Sequence, residues 1–208
     1  MTGVVLFTGD SVTDCGRRED HDGHLGSGYV RNIARSGWAT GRRVVNTGIN
    51  GNRMVDLAAR RQRDVLAHAA DIVSVLIGVN DTWRRYDDKE PTTAKSFEND
   101  YRRLLEPIAQ AGSRLVLVEP FLLPVTDDQR AWREDLDPKI DVVHRLAVDY
   151  GAVLVAADAG LTQSAAALGA TAITLDGVHP TSVGHELLAS LWLEAVGAAG
   201  RGVDPSAP

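Results

Sequence analysis

The stretch Val4-Val5-Leu6-Phe7-Thr8-Gly9-Asp10-Ser11 decides how the chain is read. A continuous run of Val, Leu and Phe closed by Gly reads as a strand buried on both faces, as in a parallel sheet. The polar residues after it then stand at the strand's carboxyl end, where open α/β sheets bind their ligands. A serine on such a turn exposes its hydroxyl while its own N–H points into the same space. Alone, Gly-Asp-Ser is as well explained by an ordinary turn and a helix N-cap. Its meaning depends on what the other strands carry.

Further strand-like runs follow at Arg43–Asn46, Asp71–Ile77, Leu115–Val118 and Ala152–Ala156. Between them lie helical patterns. Tyr29–Trp38 is one. Met54, Leu57, Ala58 and Val65 share a face, as do Phe97, Tyr101, Leu104 and Ile108. Ile140, Val143, Ala147 and Tyr150 form the next stripe. A short helix over Leu161–Leu168 and a last one marked by Val183, Leu187, Leu188 and Leu191 complete the set. Pro107 is expected to kink or restart its helix. Asp137-Pro138 reads as an N-cap followed by Pro at the first helical position. Phe121–Leu136 has no period and is expected to be an excursion over the site. Strands alternating with helices predict a three-layer α/β/α sandwich, flavodoxin-like and doubly wound, with about five parallel strands. Residues 1–199 are expected to form one domain and 200–208 a flexible tail.

The bulk composition narrows the partners. With 208 residues the chain can bury one sizeable core. Its net charge of -6 leaves no basic surplus for a nucleic-acid backbone. Apolar runs are too short to span a bilayer, so no membrane partner is expected. A strand beginning at Val4 leaves no room for a signal segment ahead of it, which predicts a cytoplasmic protein. Cys15 is the single cysteine, so it is expected to pack rather than pair. The loop Gly16–Gly28 carries His21, Asp22 and His24 without further ligands at fixed spacing, so a solvated loop is expected and no metal. Gly23, Gly26 and Gly28 do not directly follow a strand and make a poor phosphate cradle. His68, His144 and His185 sit inside helical patterns and read as structural or solvated. Homo-oligomerisation is expected only as a general tendency of such proteins.

The polar turns fit one chemistry when set side by side. Ser11 follows the first strand, Gly51 lies in the loop after the second, and Asn80 follows the third. Asp176 and His179 precede the last helix. A parallel sheet opens all its strand ends on one edge, so these turns can converge. A serine hydroxyl attacks an acyl carbon once a histidine accepts its proton, and the histidine needs a carboxylate to hold its tautomer. Backbone N–H groups and an Asn amide suit the developing oxyanion. Asp10 is expected to tie down its turn, and Asp81 to cap the following helix or hold its loop.

The sequence is identified as resembling the SGNH/GDSL family of serine esterases and lipases. The resemblance rests on Gly9-Asp10-Ser11, Asn46-Thr47-Gly48-Ile49-Asn50-Gly51, Gly78-Val79-Asn80-Asp81 and Asp176-Gly177-Val178-His179, in family order and across nearly the whole chain. It implies Ser11 as nucleophile, His179 as base and Asp176 as its orienting acid. It implies an oxyanion hole from the N–H groups of Ser11 and Gly51 with the Asn80 side chain, and no metal or organic cofactor. The second block offers Gly48 or Gly51, and the family pattern favours Gly51.

Segments outside these blocks, Thr13-Asp14-Cys15-Gly16-Arg17, Leu25-Gly26-Ser27-Gly28-Tyr29-Val30 and Asn80-Asp81-Thr82-Trp83-Arg84-Arg85-Tyr86-Asp87, are similar to intracellular bacterial acetylxylan esterases. That resemblance implies acetyl esters of xylo-oligosaccharides as substrates. Trp83, Arg84 and Tyr86 follow the Asn80 block and are candidates to line the pocket for a small-molecule or oligosaccharide ester. Packing of Trp83 in the core with solvated arginines explains them equally well. Two other functions use the same residues: a lysophospholipase or thioesterase with this triad, and a non-catalytic flavodoxin-like binding module.

Overall fold

The computed structural model describes residues 3–201. Five strands form one parallel sheet: β1 (Val4–Gly9), β2 (Arg43–Asn46), β3 (Ile72–Leu76), β4 (Arg114–Val118) and β5 (Val153–Val155), in the order β2-β1-β3-β4-β5. This is the flavodoxin-like order, which reverses direction between β1 and β3. The two strands at the reversal are those followed by Ser11 and Asn80.

Side chains alternate across the sheet. Leu6, Val73, Val75, Leu115 and Leu117 face one side, where α3 (Met54–Asp64), α5 (Ala94–Gln110) and α7 (Arg133–Asp149) bring Leu57, Phe97, Leu104 and Val143 against them. Val5, Phe7, Leu76, Val116 and Val155 face the other side, toward α2 (Tyr29–Ala34), α8 (Ala157–Leu168) and α10 (Ser182–Arg201). Both faces are therefore covered, which is why β1, β3 and β4 read as largely apolar runs. Trp192 is fully buried there, with Phe7 at 5.2 Å and Trp38 edge-on at 4.8 Å. Its indole N–H donates to Ser74 Oγ at 3.0 Å, which satisfies the one hydroxyl in the middle of β3. The remaining helices are single turns or short pieces at the carboxyl rim of the sheet: α1 (Ser11–Asp14), α4 (Val79–Asp87), α6 (Asp127–Ala131) and α9 (Ala170–Ile173).

Several expectations are corrected. The first predicted helix stops at Ala34 rather than Trp38: the backbone turns extended at Ser36, whose N–H and hydroxyl both close on the Ile33 carbonyl, at 3.0 and 2.6 Å, and a 3₁₀ turn over Gly37–Ala39 follows. Pro107 neither breaks nor restarts α5. α5 runs through it to Gln110 and gives up only the one ladder bond that the missing N–H would make to the Arg103 carbonyl. Asp137-Pro138 does not begin a helix, since α7 already starts at Arg133. Leu136 and Asp135 are buried ahead of the proline, and Asp137 pairs back to Arg133 at 2.5 Å. The unperiodic segment is a loop followed by α6, capped by the Thr126 hydroxyl. At the far end α10 runs through Arg201, beyond the predicted start of the tail. Residues 202–208 of that tail lie outside the described residues.

Candidate active site

Asp10 caps α1, its carboxylate accepting the Val12 N–H at 3.1 Å. Ser11 is thereby held as the first residue of a single helical turn. The loop after β2 continues alongside β1 beyond the strands, with Thr47 N–H on the Phe7 carbonyl and Ile49 N–H on the Gly9 carbonyl. Gly48 is required here for space, not for backbone freedom. A Cβ on it would stand 2.4 Å from the Asp14 nitrogen. Gly51 instead has open space around it and a φ of +76°, which L side chains rarely adopt.

A web of polar side chains fixes these loops to one another. Asn46 donates to the Thr13 and Leu25 carbonyls and accepts the Gly48 N–H. Asp14 accepts the Asn50 N–H at 3.0 Å. Arg60, on α3 and almost fully buried, donates to the Gly9 carbonyl at 3.0 Å, the Thr47 carbonyl at 2.8 Å and Asn52 Oδ1 at 2.7 Å, and pairs with Asp64 at 3.0 Å. The Asn52 carbonyl in turn accepts one Asn80 amide hydrogen at 3.0 Å. Asp81 neither caps its own helix nor reaches the solvent. It accepts the Met54 N–H at 2.9 Å and so ties α4 to the start of α3. Burial pushes both Asp10 and Asp81 up to about 7.

The loop between α9 and α10 supplies the remaining groups. Asp176 Oδ1 accepts the N–H groups of Val178 and His179, at 3.0 and 2.8 Å. Its other oxygen meets His179 Nδ1 at 2.7 Å, and His179 Nε2 lies 3.0 Å from Ser11 Oγ. Burial works against the Asp176 charge. The two N–H groups and the imidazole outweigh it and hold the carboxyl below its ordinary value. With Nδ1–H given to the carboxylate, Nε2 is the acceptor facing the serine. No acceptor among the described residues takes the N–H of Ser11 or of Gly51. The Asn80 amide has a second hydrogen beyond the one given to Asn52. The sequence-predicted serine, histidine, aspartate and asparagine thus meet at one rim with Gly51 beside them.

The groove at Ser11 has two arms. One, of about 280 Å³, is lined by Asn50, Asn80, Trp83, Arg84 and His179. The other, of about 340 Å³, runs past Asp14, Cys15, Arg18 and Glu19. Trp83 stands 5.9 Å from the His179 ring, and Arg84 reaches the Gly51 carbonyl at 3.3 Å. Tyr86 does not line the groove at Ser11. It turns to a neighbouring hollow, where it stacks on Trp132. Cys15 and His185 pack together at 3.3 Å behind the serine turn. Burial and the nearby His179 lower His185 to about 4, and its Nδ1 accepts the Tyr29 N–H, so it is a neutral structural group. Sequence reasoning missed Arg60, Gln129 and Trp132. Gln129 donates to the Asp176 carbonyl at 2.6 Å from the segment that has no period.

A model of the GDSL-like lipase/acylhydrolase family matches residues 7–187. The chain belongs to that family. It is 35% identical to an acetylxylan esterase of Geobacillus stearothermophilus over 93% of both chains. The crystal structure of Axe2, an acetylxylan esterase from that organism, superimposes with a TM-score of 0.85 at 33% identity, covering 94% of each chain. An α/β hydrolase from a Lake Arreo metagenome superimposes with a TM-score of 0.86 at 29% identity, over 94% of this chain and 95% of that one. This member of the GDSL-like family is accordingly a carboxylic ester hydrolase with the α/β fold of its relatives. No helix among the described residues is long and apolar enough to cross a membrane.

Proposed function

We propose that the chain hydrolyses short acyl esters, acetyl esters of carbohydrates in particular, through an acyl-enzyme on Ser11. The hydrogen-bonded line from Ser11 Oγ through His179 to Asp176 carries this reading. His179 Nε2 takes the serine proton as Oγ attacks the ester carbonyl, and Asp176 stabilises the imidazolium. The oxyanion is received by the N–H groups of Ser11 and Gly51 and the amide of Asn80. The tetrahedral intermediate collapses as His179 gives the proton to the leaving alcohol. Water then attacks the acyl-enzyme, with His179 as its base.

Polar walls support the short acyl group. Asn50, Asn80, Arg84, Asp87 and Asp88 line one arm of the groove, where Trp83 is the one large apolar side chain, so a long alkyl chain would lie against polar groups along most of its length. The carbohydrate follows from the acetylxylan esterase relatives, one of which is described as an acetyl-xylooligosaccharide esterase.

Replacing Ser11 by Ala should abolish hydrolysis of p-nitrophenyl acetate and labelling by a fluorophosphonate. Asn80→Ala should lower kcat about 10²–10³-fold. A Ser11→Ala protein that still turns over would remove the mechanism. A preference for long acyl chains across a chain-length series, or for acyl-thioesters, would replace the substrate reading with a lysophospholipase or thioesterase.

A further inference from the structure

Beyond Trp83 the groove opens into a second hollow of about 500 Å³. Trp83 lines both spaces and forms the wall between them. The apolar side of the hollow is built of rings. Tyr86 stacks on Trp132 at 5.4 Å and 14°, and Trp83 lies 5.5 Å from Trp132. These rings are already held in place. The Tyr86 hydroxyl donates to the Ala131 carbonyl at 3.0 Å, and the Trp83 indole N–H donates to Asp87. Trp132 is nearly buried in a cluster with Leu122, Leu136 and Val178. Gln129 spends its amide on the Val125 N–H and the Asp176 carbonyl, so it serves as a wall that joins the hollow to the triad loop.

The polar side selects the ligand. The charged residues lining the hollow are Asp87 and Asp128, with no cation among them. Carboxylates accept hydrogen bonds from hydroxyls and repel anions, so a phosphate head group or an acidic sugar is disfavoured. An alkyl chain would cover the rings but offer the carboxylates no donor in place of the water it displaces. A neutral sugar has a C–H face for the rings and hydroxyls for the carboxylates and Thr126. A preformed hollow of this size also spares the ligand the ordering cost of a mobile site.

We infer that this hollow is a subsite for a neutral sugar unit adjacent to the unit whose ester lies at Ser11. The inference rests on the carbohydrate-ester reading above and assigns the neighbouring sugar unit to a defined place in the fold, the hollow lined by Trp83, Tyr86 and Trp132.

The test compares kcat/KM for acetylated xylotriose with that for monoacetylated methyl β-xyloside. In the wild type the ratio should be at least tenfold. Ala131→Trp, at an exposed position on α6 that lines the hollow, should fill it and bring the ratio near one. Asp128→Arg, also exposed, makes the same test by charge should Ala131→Trp fail to fold. Calorimetry with unacetylated xylotriose should show binding to the wild type that Ala131→Trp removes. A wild-type ratio near one with both esters cleaved would overturn the subsite and leave the carbohydrate reading standing. So would a ratio that both variants leave unchanged. If neither sugar ester is cleaved, xylotriose heat in the wild type alone keeps the subsite and overturns the substrate, and no heat overturns both.

Discussion

Arg60 joins the loops after β1 and β2, which present two of the proposed oxyanion donors and meet the third through the Asn52 carbonyl, and replacing it with Met separates their positioning from their chemistry. The side chain donates to the carbonyls of Gly9 and Thr47 and to the Asn52 amide oxygen, and pairs with Asp64. Methionine keeps much of the apolar stem and removes every donor. The Thr47 carbonyl and the Asn52 amide oxygen lose their donor, whereas the Gly9 carbonyl keeps the Ile49 N–H and Asp64 keeps Arg63, so the cost is that of unsatisfied, largely buried acceptors, about 1–3 kcal/mol each. A domain stable by 5–15 kcal/mol can survive that loss, so assays belong at low temperature. The donors themselves remain, so the kinetic loss stays below the roughly 10²–10³-fold of deleting one. Loosening by about 1 Å is enough for about 10²-fold. The expected outcome is a kcat for p-nitrophenyl acetate reduced between about tenfold and about 10²-fold, with KM within about threefold because the ground-state carbonyl does not need the hole. Arg60→Lys, a point charge reaching fewer acceptors, should fall between. A variant folded by circular dichroism whose kcat is within twofold of the wild type would refute the positioning role.

Other outcomes follow from the same contacts. Asp10, raised by burial to about 7 in the fold, binds its proton more tightly there than in the unfolded chain. Its stabilising contribution is therefore complete below about pH 4 and lost as the pH rises through 7. Asp10→Asn can still accept the Val12 N–H, so its Tm relative to the wild type should rise between pH 5 and pH 8; a pH-independent difference would contradict the buried acid. Gly48→Ala should be far more damaging than Gly51→Ala. The former drives a Cβ to 2.4 Å from backbone, whereas the latter meets open space and costs about 1–2 kcal/mol for its positive φ. Denaturant midpoints in the reverse order would show that the two loops do not sit as described.

The sheet was legible because its strands are covered on both sides. Val4–Phe7 and Leu115–Val118 are apolar without alternation, Ile72–Leu76 is interrupted only by Ser74, and all three are too short for a buried helix. Ser11, Gly51, Asn80, Asp176 and His179 were legible for a related reason. Each lies in the first turn of a helix or in a loop that leads into one, where the topology brings distant residues to one rim. Asp137-Pro138 misled because a proline fits a helix start on local grounds, while the burial of Leu136 and the pairing of Asp135 with Lys139 began the helix a turn earlier.

Local order along the chain thus determined the strands, the direction of the sheet and the side chains available for acyl chemistry. Those follow from backbone sterics, apolar periodicity and turn residues, all of which act over a few positions. Only the tertiary structure decided that Arg60 ties together loops from β1 and β2, that Trp132 meets Tyr86 across 46 residues of chain, and that Tyr86 faces away from the serine. Such contacts depend on distance and direction between elements, which no periodicity encodes.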